Sequence, residues 1–112
     1  MRFKHLEVWK KACGLSCEIY KITKPLNDWG FRDQITRAGL SVPSNIAEGV
    51  ERPTNKEQIR FLYISKSSGA ELITQLYIGI EIGYINKDIG SRLIKETESI
   101  AAMTLALIKS KR

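Results

Sequence analysis

The sequence predicts an all-α protein, an antiparallel up-down four-helix bundle forming a single domain over residues 1–112. Three observations carry this. Apolar residues recur at steps of three and four in four separate stretches. No stretch alternates with the period of two that a half-buried strand requires. Short clusters of Pro, Gly, Asn and Asp separate the stretches, so the connections are tight and join antiparallel neighbours. With 112 residues, 43% of them hydrophobic, the chain is long enough to bury one core.

The first helix is expected from about His5 to Lys24. Val8, Ala12, Leu15, Ile19 and Ile22 have the spacing of a packed seam. Lys10, Lys21 and Lys24 fall on the opposite face, while Trp9, Cys13, Ser16 and Tyr20 widen the apolar one. Pro25 ends the helix, and Asn27-Asp28-Trp29-Gly30 is turn chemistry. The second helix starts near Phe31 and ends around Gly49 to Arg52, with Ile35, Gly39, Val42 and Ile46 facing inward. Pro43 lies inside it, where it removes a backbone donor and crowds the carbonyl of Gly39. A bend or break is therefore expected between Gly39 and Ser44, with Asn45 and Glu48 at capping-box spacing to restart the helix.

Thr54 with Glu57 forms a second capping box and opens a long third helix, expected over about Asn55 to Tyr84. Its seam is Leu62, Ser65, Gly69, Leu72, Leu76, Gly79 and Gly83. Three glycines on one seam cost about 1 kcal/mol each in helix propensity, which implies close approach to another helix. From Leu72 to Ile85 the helix is apolar nearly all round. The stripe Ile73, Tyr77, Ile80 and Tyr84 exceeds what a bundle this small can bury, and is expected to form an oligomer interface. Asn86 then caps a fourth helix from Lys87 to about Lys109, with Ile89, Leu93, Thr97, Ile100, Thr104 and Leu107 as its seam.

The chain carries a net charge of +6, unevenly distributed. Residues 2–24 hold six basic and two acidic groups, and residues 87–112 hold six and three. Residues 67–86 contain no Lys or Arg. Such excess suits an acidic partner, nucleic acid first, or simply a solvated basic surface. No apolar run approaches the roughly 20 residues that span a bilayer, and the N-terminus lacks the apolar core of a signal peptide. A cytoplasmic location and no membrane partner are the expectation.

The residues of catalytic and metal chemistry are sparse. His5 is the only histidine, so neither a zinc site nor the Glu-x-x-His pairs of a di-metal bundle can be assembled. No phosphate-cradling glycine loop is present. Ser65 and Ser68 read as small packing residues rather than nucleophiles, which need a positioned base. Cys13 and Cys17, one helical turn apart, suit half-buried helix positions better than a redox pair. No enzyme, metal or cofactor is expected. Arg37, Asn45, Glu48 and Glu71 are expected to form a polar network joining helices two and three, either setting the bundle register or binding a ligand.

Several runs together resemble a bacterial four-helix-bundle family that includes the 23S rRNA intervening-sequence proteins. They are Leu6-Glu7-Val8-Trp9, Gln34-Ile35 with Arg37-Ala38, Arg60-Phe61-Leu62, Glu71-Leu72 with Thr74-Gln75-Leu76, and Gly83-Tyr84-Ile85. The most specific is Ser41-Val42-Pro43-Ser44-Asn45-Ile46-Ala47-Glu48-Gly49. The resemblance spans nearly the whole chain. It implies a bundle assembled as a ring, commonly a homopentamer, and a relationship with RNA. Bundles of similar shape also serve as accessory proteins to a nucleic-acid enzyme, a reverse transcriptase. This chain departs from the family pattern at Thr36, where a second basic residue often precedes the arginine, and at Lys24-Pro25-Leu26 after helix one.

Two functions are expected. The first is a non-catalytic oligomeric accessory protein that binds RNA, or DNA, through basic surfaces. Lys10, Lys11, Lys21 and Lys24 would neutralise phosphates along helix one, and Arg52, Lys56 and Arg60 around the second turn. The second is a protein–protein scaffold without direct nucleic-acid binding.

Overall fold

Side-chain caps fix where three of the four helices begin. In the computed structural model, which describes residues 1–112, Asp28 accepts a hydrogen bond from the Phe31 N–H at 3.1 Å and opens α2, Trp29–Val50. Thr54 accepts from the Glu57 N–H at 3.2 Å and opens α3, Asn55–Glu81. Asn86 accepts from the Ile89 N–H at 3.0 Å and opens α4, Lys87–Lys109. The remaining helix, α1, is Glu7–Thr23 and has no side-chain cap. A 3-10 turn at Arg2–His5 precedes it. Arg2 ties that turn to the end of α2: its guanidinium donates to the Val50 carbonyl at 2.8 Å, and its backbone N–H to Glu51 Oε2 at 3.2 Å.

The four helices pack as an antiparallel bundle with short connections and no strands, 43 Å along its longest axis. α2 packs most extensively on α3, while α1 and α4 share a much thinner seam. The core is one cluster fed by every helix, including Leu15, Ile19, Ile35, Ile46, Leu62, Leu72, Leu76, Leu93 and Ile108. Leu62, Ser65, Gly69, Leu72, Leu76 and Gly79 of the expected α3 seam are all buried. Gly83 is not part of that seam. It adopts φ +81°, a left-handed conformation that glycine enters without strain. The Tyr84 N–H then bonds to the Gly79 carbonyl at 2.9 Å and the Gly83 N–H to the Ile80 carbonyl at 3.1 Å, a Schellman ending that stops α3 at Glu81. The seam glycines of α3 and α4 admit side chains more than backbone. A Cβ on Gly79 would stand 2.6 Å from Ile85 Cδ1, and one on Gly90 would stand 2.6 Å from Ile80 Cδ1.

Of the bend or break expected between Gly39 and Ser44, there is no break: α2 runs without interruption from Trp29 to Val50 with Pro43 inside it. Proline withholds the donor that the Gly39 carbonyl would have used, and the helix continues past that single missing bond; two carbonyls nearby take side-chain donors as well. The Val42 carbonyl accepts from Ser65 Oγ at 2.8 Å, across the α2–α3 seam, and the Ser41 carbonyl accepts from Asn45 Nδ2 at 2.9 Å. Asn45 is therefore inside the helix and caps nothing.

Candidate nucleic-acid interface

The C-terminal turn of α1 and the first turns of α2 meet at one end of the bundle and enclose a groove of about 470 Å³. Pro25 and the Asp28 cap force the chain to reverse within residues 24–28, which brings the two helix ends side by side. Tyr20, Lys21 and Lys24 of α1 and its C-cap face Trp29, Arg32 and Asp33 of α2, with Thr23 and Thr36 also lining the groove. Both threonine hydroxyls are turned back onto their own helices, to the carbonyls of Ile19 and Arg32 at 2.7 Å. The groove is thus left to cations, aromatic rings and a single carboxylate.

Its charge is predominantly positive. Neither Lys21 nor Lys24 is held in an ion pair. The Arg32 guanidinium sits 4.6 Å from the centre of the Trp29 ring and donates to the Leu26 carbonyl at 3.3 Å. The one carboxylate lining it, Asp33, accepts from Arg37 Nε at 3.0 Å. Trp29 is 70% exposed and Tyr20 48%. Behind Trp29, the Asp28 carboxylate takes both the Phe31 N–H and the Tyr84 hydroxyl, the latter at 2.9 Å, and these bonds hold its pKa below the usual aspartate value.

The seven basic residues expected to bind phosphate divide between the two ends of the bundle. Only Lys21 and Lys24 share the groove. Lys10 pairs with Glu7 at 3.5 Å, and Lys11 borders a smaller hollow between α1 and α4. Arg52, Lys56 and Arg60 surround the α2–α3 turn at the other end. There Arg52 pairs with Glu48 at 2.7 Å and lies 4.4 Å from the Phe61 ring centre, with Arg60 at 5.7 Å from the same ring. Arg32 and Trp29 were not among the expected site residues. The Asn27–Gly30 segment has turn composition, and only the fold shows that it delivers both residues to the end of α1.

The expected polar network does not form. Arg37 is exposed and paired to Asp33, Glu48 is exposed and paired to Arg52, and Glu71 is exposed on α3. Asn45 alone links the helices, through a relay of hydroxyls. Its Nδ2 donates to Ser41 Oγ at 2.9 Å, Ser41 Oγ lies 2.8 Å from Ser68 Oγ, and Ser68 Oγ donates to the Ile64 carbonyl at 2.9 Å. The charged members are outside because their places on α2 and α3 are solvent-facing, so each pairs one turn along its own helix or meets water.

Of the stripe expected to form an oligomer interface, only Tyr77 is broadly exposed, at 61%. Ile73, Ile80 and Tyr84 pack against the chain's own core, and Tyr84 stacks edge-on against Phe31 with ring centres 5.2 Å apart. The exposed apolar residues of α3 are instead Tyr63, Ile64, Tyr77 and Ile78, followed by Ile82 at its C-cap.

No charged side chain is buried in the core, and no helix is long and apolar enough to cross a membrane. Cys13 is half-buried, with its thiol pKa pushed up by burial and by neighbouring Cys17, which is exposed. The fold and its surface define a class: a four-helix bundle with an uncharged core and cations gathered at both ends. Within that class, the chain belongs to the 23S rRNA-intervening sequence protein family, whose model matches residues 4–106. It is also similar in fold to a protein of unknown function from the S23 ribosomal protein family of Bacteroides thetaiotaomicron, solved by crystallography. That likeness has a TM-score of 0.81 and 23% identity, covering 91% of this chain and 98% of the other. No curated protein matches the chain in sequence.

Proposed function

We propose that this protein is a non-catalytic, oligomeric accessory protein of the cytoplasm that binds RNA, or DNA, through its basic surfaces. The observation that carries this reading is the α1–α2 groove, where unpaired Lys21 and Lys24 converge with Arg32 beside exposed aromatic rings. Cations gathered in a concavity release counterions when a phosphate backbone enters, and this release drives sequence-independent binding. Family membership agrees with an RNA connection. Self-association would multiply the groove. The exposed Ile64, Tyr77, Ile78 and Ile82 supply an apolar surface for it, and the resemblance implies a ring of five. Several weak grooves on one ring act together through avidity.

The uncharged part of α3 favours a second reading, a scaffold that docks a protein partner such as a nucleic-acid enzyme without touching nucleic acid itself. Charge reversal separates the two. Lys21→Glu with Lys24→Glu should abolish binding of a structured RNA and leave the oligomer, measured by sedimentation, unchanged. Undiminished RNA binding by that double variant would remove the groove from the site, and a wild-type protein that binds no RNA would favour the scaffold.

A further inference from the structure

We propose that the α1–α2 groove takes an unpaired nucleotide of a polynucleotide strand, stacking its base on Trp29 while Lys21, Lys24 and Arg32 hold the adjoining phosphates. The inference rests on the nucleic-acid reading above and adds a preference for single strands.

Phosphate neutralisation needs no aromatic residue, yet the groove presents two. Trp29 is the largest side chain of the protein's surface to be so open, at 70% exposure. It is the first residue of α2, directly after the Asp28 cap. Asp28 bonds both the Phe31 N–H of α2 and the Tyr84 hydroxyl beyond α3. The backbone that carries Trp29 is therefore anchored, although its ring is not packed away. The Arg32 guanidinium lies 4.6 Å from the ring centre. The guanidinium covers one face of the indole, so a base stacks on the opposite face and the ring is sandwiched between base and cation. Tyr20, 48% exposed, stands on the α1 side of the same groove. At about 470 Å³ the groove is within the size range of small-ligand sites.

A duplex keeps its base faces inside the stack and offers this groove only sugar and phosphate. Stacking on Trp29 therefore requires an unpaired base. The carboxylates oppose phosphate and set the direction of entry. Asp33, the one carboxylate of the groove, is on α2, so the phosphates lie toward Lys21 of α1 and Lys24 at its C-cap, where no carboxylate lines the groove. Glu18, one turn before Lys21, is itself engaged by Arg92.

The test uses the full chain and three probes: an unstructured RNA of about twelve nucleotides, within the footprint of single-strand binders, its DNA counterpart, and an RNA duplex of the same length. Trp29→Ala should weaken single-strand binding about tenfold, as loss of one stacked base does, and leave the duplex within about twofold. Trp29→Phe, which keeps a ring face, should restore most of the loss. In a Trp9→Phe background the only tryptophan is Trp29, and its emission should be quenched by the single strand and not by the duplex. Tighter binding of RNA than of DNA would add 2′-hydroxyl recognition to the stacking. Unchanged single-strand affinity in Trp29→Ala, with binding still abolished by the Lys21/Lys24 reversal, would overturn base stacking and leave the nucleic-acid reading standing. Binding of none of the three probes by the wild-type protein would overturn both.

Discussion

At the scale of single residues, the run from Ser41 to Gly49 is explained by the α2–α3 seam. Ser65 closes on the Val42 carbonyl next to Pro43, and Asn45, Ser41 and Ser68 form a hydroxyl relay. Gly49 ends the run where a Cβ would lie 3.2 Å from Phe61 Cβ and 3.3 Å from the Gln58 carbonyl oxygen. Ser65→Ala should cost about 1 kcal/mol, the net worth of one intramolecular hydrogen bond. Gly49→Ala should cost about 1–3 kcal/mol by overpacking against backbone that cannot yield. Urea unfolding checks both. The packing role of Ser65 and Ser68 is legible in their spacing and size. Their partners are not, because a proline in a helical pattern reads as a break. The hydroxyl that Ser65 gives to the Val42 carbonyl, 23 positions earlier, is visible only in the fold. Trp29 and Arg32 were equally hidden, since their importance depends on which helix end lies opposite them.

At the scale of elements, the helix starts at Thr54 and Asn86 are legible because capping is local chemistry. The outward stripe of α3 is not legible. A helix apolar all round gives no phase, and only packing against α2 and α4 decides that Ile73 and Ile80 turn in while Ile78 and Ile82 turn out. The thin α1–α4 seam is bridged by Arg92, whose two terminal nitrogens donate to Glu18 at 3.1 and 2.8 Å, and one of them to Glu96 at 2.9 Å. The Arg92 hydrogen bonds hold the Glu18 carboxyl below its ordinary value near 4.5, with Arg92 and Lys21 charges adding to the effect against burial. A depressed carboxyl stabilises the fold above its unfolded-state value and loses that contribution as pH falls through the lower folded one. Glu18→Gln should therefore be slightly less stable than the wild type at neutral pH. The difference should close on acidification below about 4.5, as thermal melts at stepped pH would record. The gain is small because both side chains remain partly exposed.

At the scale of the whole molecule, cations lie at both ends of a 43 Å bundle, while the last turns of α3 expose Tyr77 and Ile78, with Ile82 at its C-cap, in a stretch with no Lys or Arg between residues 67 and 86. None of these apolar residues lines the α1–α2 groove, so the proposed association and the proposed nucleic-acid binding would use different side chains. On the proposed self-association, Ile78→Glu should turn the oligomer into folded monomers, seen as a fall in sedimenting mass with unchanged helical circular dichroism. It should also weaken RNA binding through lost avidity while leaving the affinity of each groove intact. An oligomer that survives both Ile78→Glu and Ile82→Glu would place the subunit contact elsewhere.

The proposed function requires the groove of each subunit to bind nucleic acid by neutralising phosphates. Its most direct test is the affinity of the purified protein for single-stranded RNA as a function of salt. Three cations per groove predict that log affinity falls against log salt with a slope of about −2 for each engaged subunit. The Lys21/Lys24 reversal should abolish the binding at every salt concentration tested. A salt-independent affinity, or no binding at about 100 mM salt, where non-specific nucleic-acid binders still register, would contradict the account.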